Sequence, residues 1–84
     1  MFSVLLSIYK NEKKQYLSSA LESILKQTLL PIEIILVKDG PLTEDLEEVI
    51  LEYQRKFPII HVVALPFNQG LGKALNEGLK YCSY

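Results

Sequence analysis

The chain has 84 residues, 49% of them hydrophobic and 23% charged, which describes one small folded domain and excludes a disordered or low-complexity segment. Nine Lys and Arg against ten Asp and Glu leave a net charge of −1, without the basic excess of a nucleic-acid module, and a single cysteine, Cys82, excludes both an internal disulfide framework and a multi-cysteine zinc site. A chain this short hides only about 60–65% of the surface its unfolded form exposes, so its core is marginal, yet its apolar fraction suits the core of a larger protein.

Phe2 to Ile8 is a short, nearly continuous apolar run and reads as a first strand. Leu17, Ala20, Leu21, Ile24, Leu25 and Thr28 then follow 3.6-residue spacing, which predicts a helix from Lys14 to Thr28, and Pro31 blocks its continuation. Ile32 to Val37, rich in β-branched residues, reads as a second strand. Thr43 is a good N-cap for the next helix, and Glu44 and Asp45 suit its positive end. Leu46, Val49, Ile50, Tyr53 and Phe57 mark its apolar stripe, and Pro58 ends it. Ile59 to Leu65 is the third apolar run. Leu71, Ala74, Leu75, Gly78, Leu79 and Cys82 form a third helical stripe that runs towards the C-terminus.

Strands apolar on both faces belong to parallel sheets covered by helices. The order βαβαβα, with right-handed crossovers, predicts one Rossmann-like, three-layer α/β domain over residues 1–84, with strand order 3-2-1. No run reaches the roughly 18–20 apolar residues of a membrane span, and no basic segment precedes an apolar one as in a signal peptide. The expected location is the cytoplasm, or the cytoplasmic face of a membrane.

In open α/β sheets, ligands bind beyond the carboxyl ends of the strands. Here those ends are Ser7 to Glu12, Lys38 to Pro41 and Pro66 to Lys73. Asp39 can accept hydrogen bonds from a ribose hydroxyl or a base N–H, or bond its own backbone in a turn. Tyr9 can stack on a base or cap the core. Ser7 or Asn11 can hydrogen-bond a base, or Asn11 can cap the first helix; Glu12 is a ligand contact or a first-turn carboxylate. Gly70-Leu71-Gly72-Lys73 fails the Walker A pattern, because Phe67 stands at the first glycine position and Ala74 follows the lysine. It also fails the dinucleotide fingerprint, with Leu75 at the third glycine position. What remains is an anion site at a helix N-terminus, or a turn with a solvated lysine. His61 lies inside the third strand, away from the carboxyl ends, and reads as structural. Cys82 reads as a small apolar residue.

Taken together, Phe2 to Glu12, Leu17 to Thr28, Glu33 to Gly40 and Asn68 to Asn76 resemble, in order and spacing, the start of a family 2 glycosyltransferase of the GT-A fold. The likeness is greatest to bacterial enzymes that build surface polysaccharides. The resemblance implies a transferase using a nucleotide-sugar donor, a UDP-sugar, and a glycan acceptor, working in the cytoplasm or at the cytoplasmic face of the inner membrane. By position, Ser7, Tyr9 and Glu12 would line the base and ribose pocket, and Asp39 would bind the uracil or ribose. Lys73 would lie near the base or diphosphate, while Asn68 and Gly70 would shape their loop. The family holds Mg²⁺ or Mn²⁺ through an Asp-x-Asp motif after the next strand. No Asp-x-Asp occurs in these residues, so the metal ligands, the catalytic base and the acceptor pocket are expected outside them, and the 84 residues alone are expected to be inactive.

The competing expectation is a non-catalytic Rossmann-like nucleotide-binding or assembly module. Against a dinucleotide site, Tyr9-Lys10-Asn11-Glu12 carries no glycine where a pyrophosphate would approach. The first strand lies at an edge of the expected sheet, which predicts a homo-oligomer formed along that strand or across uncovered apolar faces.

Overall fold

The computed structural model describes residues 2–83. Six elements alternate: β1 (Ser3–Ile8), α1 (Lys14–Leu25), β2 (Glu33–Lys38), α2 (Glu44–Lys56), β3 (Ile60–Ala64) and α3 (Leu71–Leu79). The three strands form one parallel sheet in the order β1-β2-β3, with Ser3 opposite Glu33 and Ile34 opposite Ile60. This is the expected 3-2-1 order, with β2 in the middle and β1 and β3 at the edges.

The central strand explains the layering. Ile34, Ile35, Leu36 and Val37 are each 0–1% exposed, so β2 has no solvent face. Successive side chains point to opposite sides of a sheet. Ile34 and Leu36 join Leu17 and Leu21 of α1 and Leu46, Ile50 and Tyr53 of α2. Ile35 and Val37 face Ala74 of α3. Gly78 lets α3 lie close to the sheet, since an added Cβ would stand 2.7 Å from Val37 Cγ2 and would also overlap Leu5 Cδ1.

α2 obeys every local rule for a helix. Thr43 Oγ1 accepts from the Leu46 amide at 3.5 Å, Glu44, Asp45 and Glu47 fill the first turn, and Arg55 and Lys56 the last. α1 does not: its N-cap is Lys13, with no side-chain hydrogen bond and no acid in the first turn.

Several boundaries depart from the expectation. α1 ends at Leu25, three residues before Thr28. The Lys26 amide still reaches Glu22 O at 2.9 Å, but the Gln27 amide turns to Ile24 O at 3.4 Å, which tightens the last turn. Leu29 and Leu30 are then exposed, and Pro31 favours an extended conformation for Leu30. In α3 the stripe is narrower than its spacing suggested. Ala74 and Gly78 are buried, whereas Leu71 and Leu79 are exposed on flanks that the sheet does not cover. Cys82 lies beyond the helix and packs partly against the α3 side of the core. Among the described residues, no helix is long and apolar enough to cross a membrane.

One polar bond ties the two helices on the same face. Tyr53 donates its hydroxyl to Glu22 Oε1 at 2.6 Å. That bond, more than the neighbouring Lys26, holds the Glu22 carboxyl below its ordinary value of 4.5. Glu33 is lowered as well, by the Ser83 amide and the Ser3 hydroxyl. A carboxyl with a lowered folded pKa adds stability above its unfolded value and loses it as pH falls through the folded one. Thermal stability should therefore fall progressively on acidification below pH 4.5. Tyr53→Phe should flatten that decline, leaving the Glu33 part, when melting is followed by circular dichroism from neutral to acid pH.

Candidate functional site

A cavity of about 390 Å³ opens at the carboxyl end of the sheet, lined by Ser7, Tyr9, Glu12, Asp39, Asn68, Gly70 and Leu71. All three strand-end segments contribute to it. Ser7 is the penultimate residue of β1 and is half-buried. Beyond Ile8 the chain turns, with the Glu12 amide donating to Tyr9 O at 3.0 Å. This turn leaves the Tyr9 ring 42% exposed at the cavity and sets Glu12 before the helix begins. Of the alternatives open in the sequence, Tyr9 as a core cap, Glu12 as a first-turn acid and Asn11 as a helix cap are thereby removed. Asn11 is exposed and does not line the cavity.

Asp39 follows β2 and is 4% exposed. Its amide donates to Ile8 O at 2.8 Å, which joins it to the end of β1. Its carboxylate reaches the other way, accepting from the Gln69 amide at 2.7 Å and from the Gly70 amide at 3.1 Å. Asn68 Oδ1 also accepts from the Gly70 amide at 3.1 Å, a local turn that closes the loop on itself. An ionised carboxylate has about four lone-pair sites, so these two bonds leave acceptor capacity on Asp39, which lines the cavity.

The same bonds change the meaning of the glycine-rich segment. Gly70 is the N-cap of α3 at φ +90°, and its amide already serves Asp39 and Asn68. The Gly70 amide is therefore not free for phosphate. Lys73 is exposed and does not line the cavity. Lys38, at the end of β2, is held by Glu47, whose two oxygens lie 2.9 and 3.1 Å from its ammonium. The cavity wall thus carries two carboxylates, a serine hydroxyl, a carboxamide and an aromatic ring, and no cation. It offers acceptors to N–H and O–H donors and a face on which a ring can stack.

Six of the seven positions singled out in the sequence (Ser7, Tyr9, Glu12, Asp39, Asn68 and Gly70) meet at this cavity, and Lys73 does not. Leu71 was missed; it had been counted in the apolar stripe of α3, and nothing in its spacing marks it as exposed. Gln69 was also missed, because it acts through its backbone amide. His61 is exposed on the edge strand β3, away from the site. Among the described residues, no group of three His, Cys, Asp or Glu side chains could hold a metal ion. With only the two carboxylates of Glu12 and Asp39 at the cavity and no group of three ligating side chains among the described residues, the residues present do not fit a divalent cation.

An uncharacterized glycosyltransferase of Haemophilus influenzae is 52% identical over 83 residues, covering 99% of this chain and 31% of its own length. The amylovoran biosynthesis glycosyltransferase AmsE of Erwinia amylovora is 48% identical over 84 residues, or 100% of this chain and 31% of its own. The UDP-Gal:alpha-D-GlcNAc-diphosphoundecaprenol beta-1,3-galactosyltransferase of Escherichia coli is 43% identical over 83 residues, 99% of this chain and 30% of its own. The chain thus spans less than a third of the length of these relatives. The sequence pattern of glycosyl transferase family 2 runs over residues 3–84, from the first residue of β1 through every element that builds the cavity, and the chain belongs to that family.

Proposed function

We propose that this chain holds the nucleoside of a nucleotide-sugar donor, for a transferase that passes the sugar to a glycan acceptor. The observation that carries the reading is the lining of the cavity: Tyr9 offers a stacking face, and Asp39, Glu12 and Ser7 offer acceptors. A nucleobase and a ribose supply the matching ring and the matching N–H and O–H donors. A diphosphate is repelled by two carboxylates and lies outside this cavity. Two relatives guide the finer assignment. The Escherichia coli protein is named for UDP-Gal and a lipid diphosphate, and the Erwinia protein for a polysaccharide, so we infer a UDP-sugar donor and a polysaccharide or lipid-linked glycan acceptor. Acceptor binding and any metal chemistry are assigned to residues other than these, and the 84-residue chain is inferred to bind nucleotide without transferring sugar.

The test is calorimetry with uridine and UDP. Both should bind the chain. Tyr9→Ala should weaken both by roughly tenfold or more, since stacking on one aromatic ring contributes about 1–3 kcal/mol. Glu12→Gln should weaken both to a smaller degree. Lys73→Ala should spare uridine and weaken UDP, because Lys73 lies outside the nucleoside cavity. If neither this chain nor a longer protein containing it binds UDP or another nucleoside diphosphate, the reading fails.

We also infer that copies of the chain pair along β1. This edge strand, Ser-Val-Leu-Leu-Ser-Ile, has no charge, proline or glycine to blunt it. Sedimentation at micromolar concentration should show a dimer or larger species, and a monomer throughout would overturn the pairing.

A further inference from the structure

The β2–α2 turn and the β3–α3 loop meet at two adjacent residues, and only one of them touches the cavity. Asp39 reaches the loop through its carboxylate, as described. Gly40, the next residue, is buried and does not line the cavity. Its amide donates to Lys38 O at 2.9 Å, and its backbone sits at φ +89°, where residues with a Cβ are strained. The loop backbone lies where such a Cβ would be. A Cβ on Gly40 would stand 2.6 Å from the Asn68 amide nitrogen and 3.0 Å from the Phe67 carbonyl carbon. These are main-chain atoms, which cannot rotate aside as a flexible side chain can.

The two residues therefore act in sequence. Gly40 permits the approach of the loop, and Asp39 holds the loop once it has arrived. The Gln69 amide donates to Asp39 at 2.7 Å, and a shift of the loop that admits a methyl group at Gly40 would lengthen and weaken that bond. Asn68, Gly70 and Leu71, which form one wall of the cavity, would move with the loop.

We propose that Gly40 is a positioning residue of the nucleoside cavity: by presenting no side chain, it lets the β3–α3 loop close on Asp39 and so builds the cavity wall before any ligand arrives. The proposal rests on the nucleotide reading for its effect on affinity, but the state of the loop can be measured without a ligand.

Amide hydrogen exchange in the ligand-free chain comes first. The Gln69 and Gly70 amides should be protected, although both lie in a loop. Exchange at open-chain rates would overturn the proposal. In Gly40→Ala the Asp39 carboxylate remains but the loop is displaced. These two amides should then exchange faster, while Leu36 and Val37 in β2 keep their protection. The UDP dissociation constant should rise by on the order of tenfold to a hundredfold, as expected for losing one or two hydrogen bonds to a charged group. Wild-type affinity in Gly40→Ala would overturn the proposal, since a direct contact by Asp39 alone would survive that change. Asp39→Ala provides a second variant should Gly40→Ala not fold. It keeps Gly40 but removes both accepting oxygens, so the Gln69 amide should lose protection, while the Gly70 amide keeps Asn68 as an acceptor. Protection of the Gln69 amide in Asp39→Ala would overturn the clamp. If the wild type binds neither uridine nor UDP, the nucleotide reading fails, and the exchange data decide the loop's dependence on Gly40 by themselves.

Discussion

A strand without a solvent face governs this molecule. Four consecutive residues of β2, Ile34 to Val37, are buried on both sides, and burial of each such side chain contributes about 1.5–3 kcal/mol. That contribution requires an apolar layer above the sheet and another below it. α1 and α2 supply one and α3 the other. Because β2 is flanked by a strand on each side, its carboxyl end is also the one place where loops from both neighbours can converge. Asp39 occupies that place and is consequently 4% exposed, unusual for a carboxylate.

The chemistry of the site follows from how that carboxylate is satisfied. A buried charge must be paired or hydrogen-bonded. Here the bonds come from main-chain amides of the β3–α3 loop and not from a lysine or arginine. The cation at the end of β2, Lys38, is bound to Glu47. The result is an acidic, cation-free hollow bordered by an aromatic ring, suited to neutral donor-rich groups and unsuited to phosphate. On the proposed reading, a nucleoside is held in this hollow and its phosphates lie outside it.

The sequence made the central part of this legible and hid the rest for definable reasons. The β2 run has no polar residue between Ile34 and Val37, so its place in a parallel sheet could be read directly. Asp39-Gly40-Pro41 stands out because neither a strand nor a helix period accounts for it. The partners of Asp39 could not be read, because they are amides of Gln69 and Gly70, some thirty positions away, and backbone groups leave no residue type behind. The end of α1 was overextended because Thr28 falls on the helical period by coincidence, while the backbone had already tightened at Gln27. The exposure of Leu71 and Leu79 was invisible for a related reason. Periodicity reports which residues share a helix face, but not how wide a sheet lies beneath them. Lys73 was placed near the base or diphosphate by the family resemblance, and it is exposed and outside the lining of the cavity.

The register of the sheet has a consequence for how the molecule comes into being. Ser3 pairs with Glu33, about thirty residues along, and Ile34 with Ile60, so no strand finds its neighbour through a tight turn. Parallel pairing of this kind closes long loops before it gains hydrogen bonds, and it is slow compared with helix formation. As the chain emerges from a ribosome, β1 has nothing to pair with until β2 is fully exposed. The central strand in turn stays half-covered until α3, the sixth of the described elements, arrives with Ala74 and Gly78. The order of synthesis thus leaves the apolar β2 waiting for its second cover, and until α3 docks one face of it is open to aggregation.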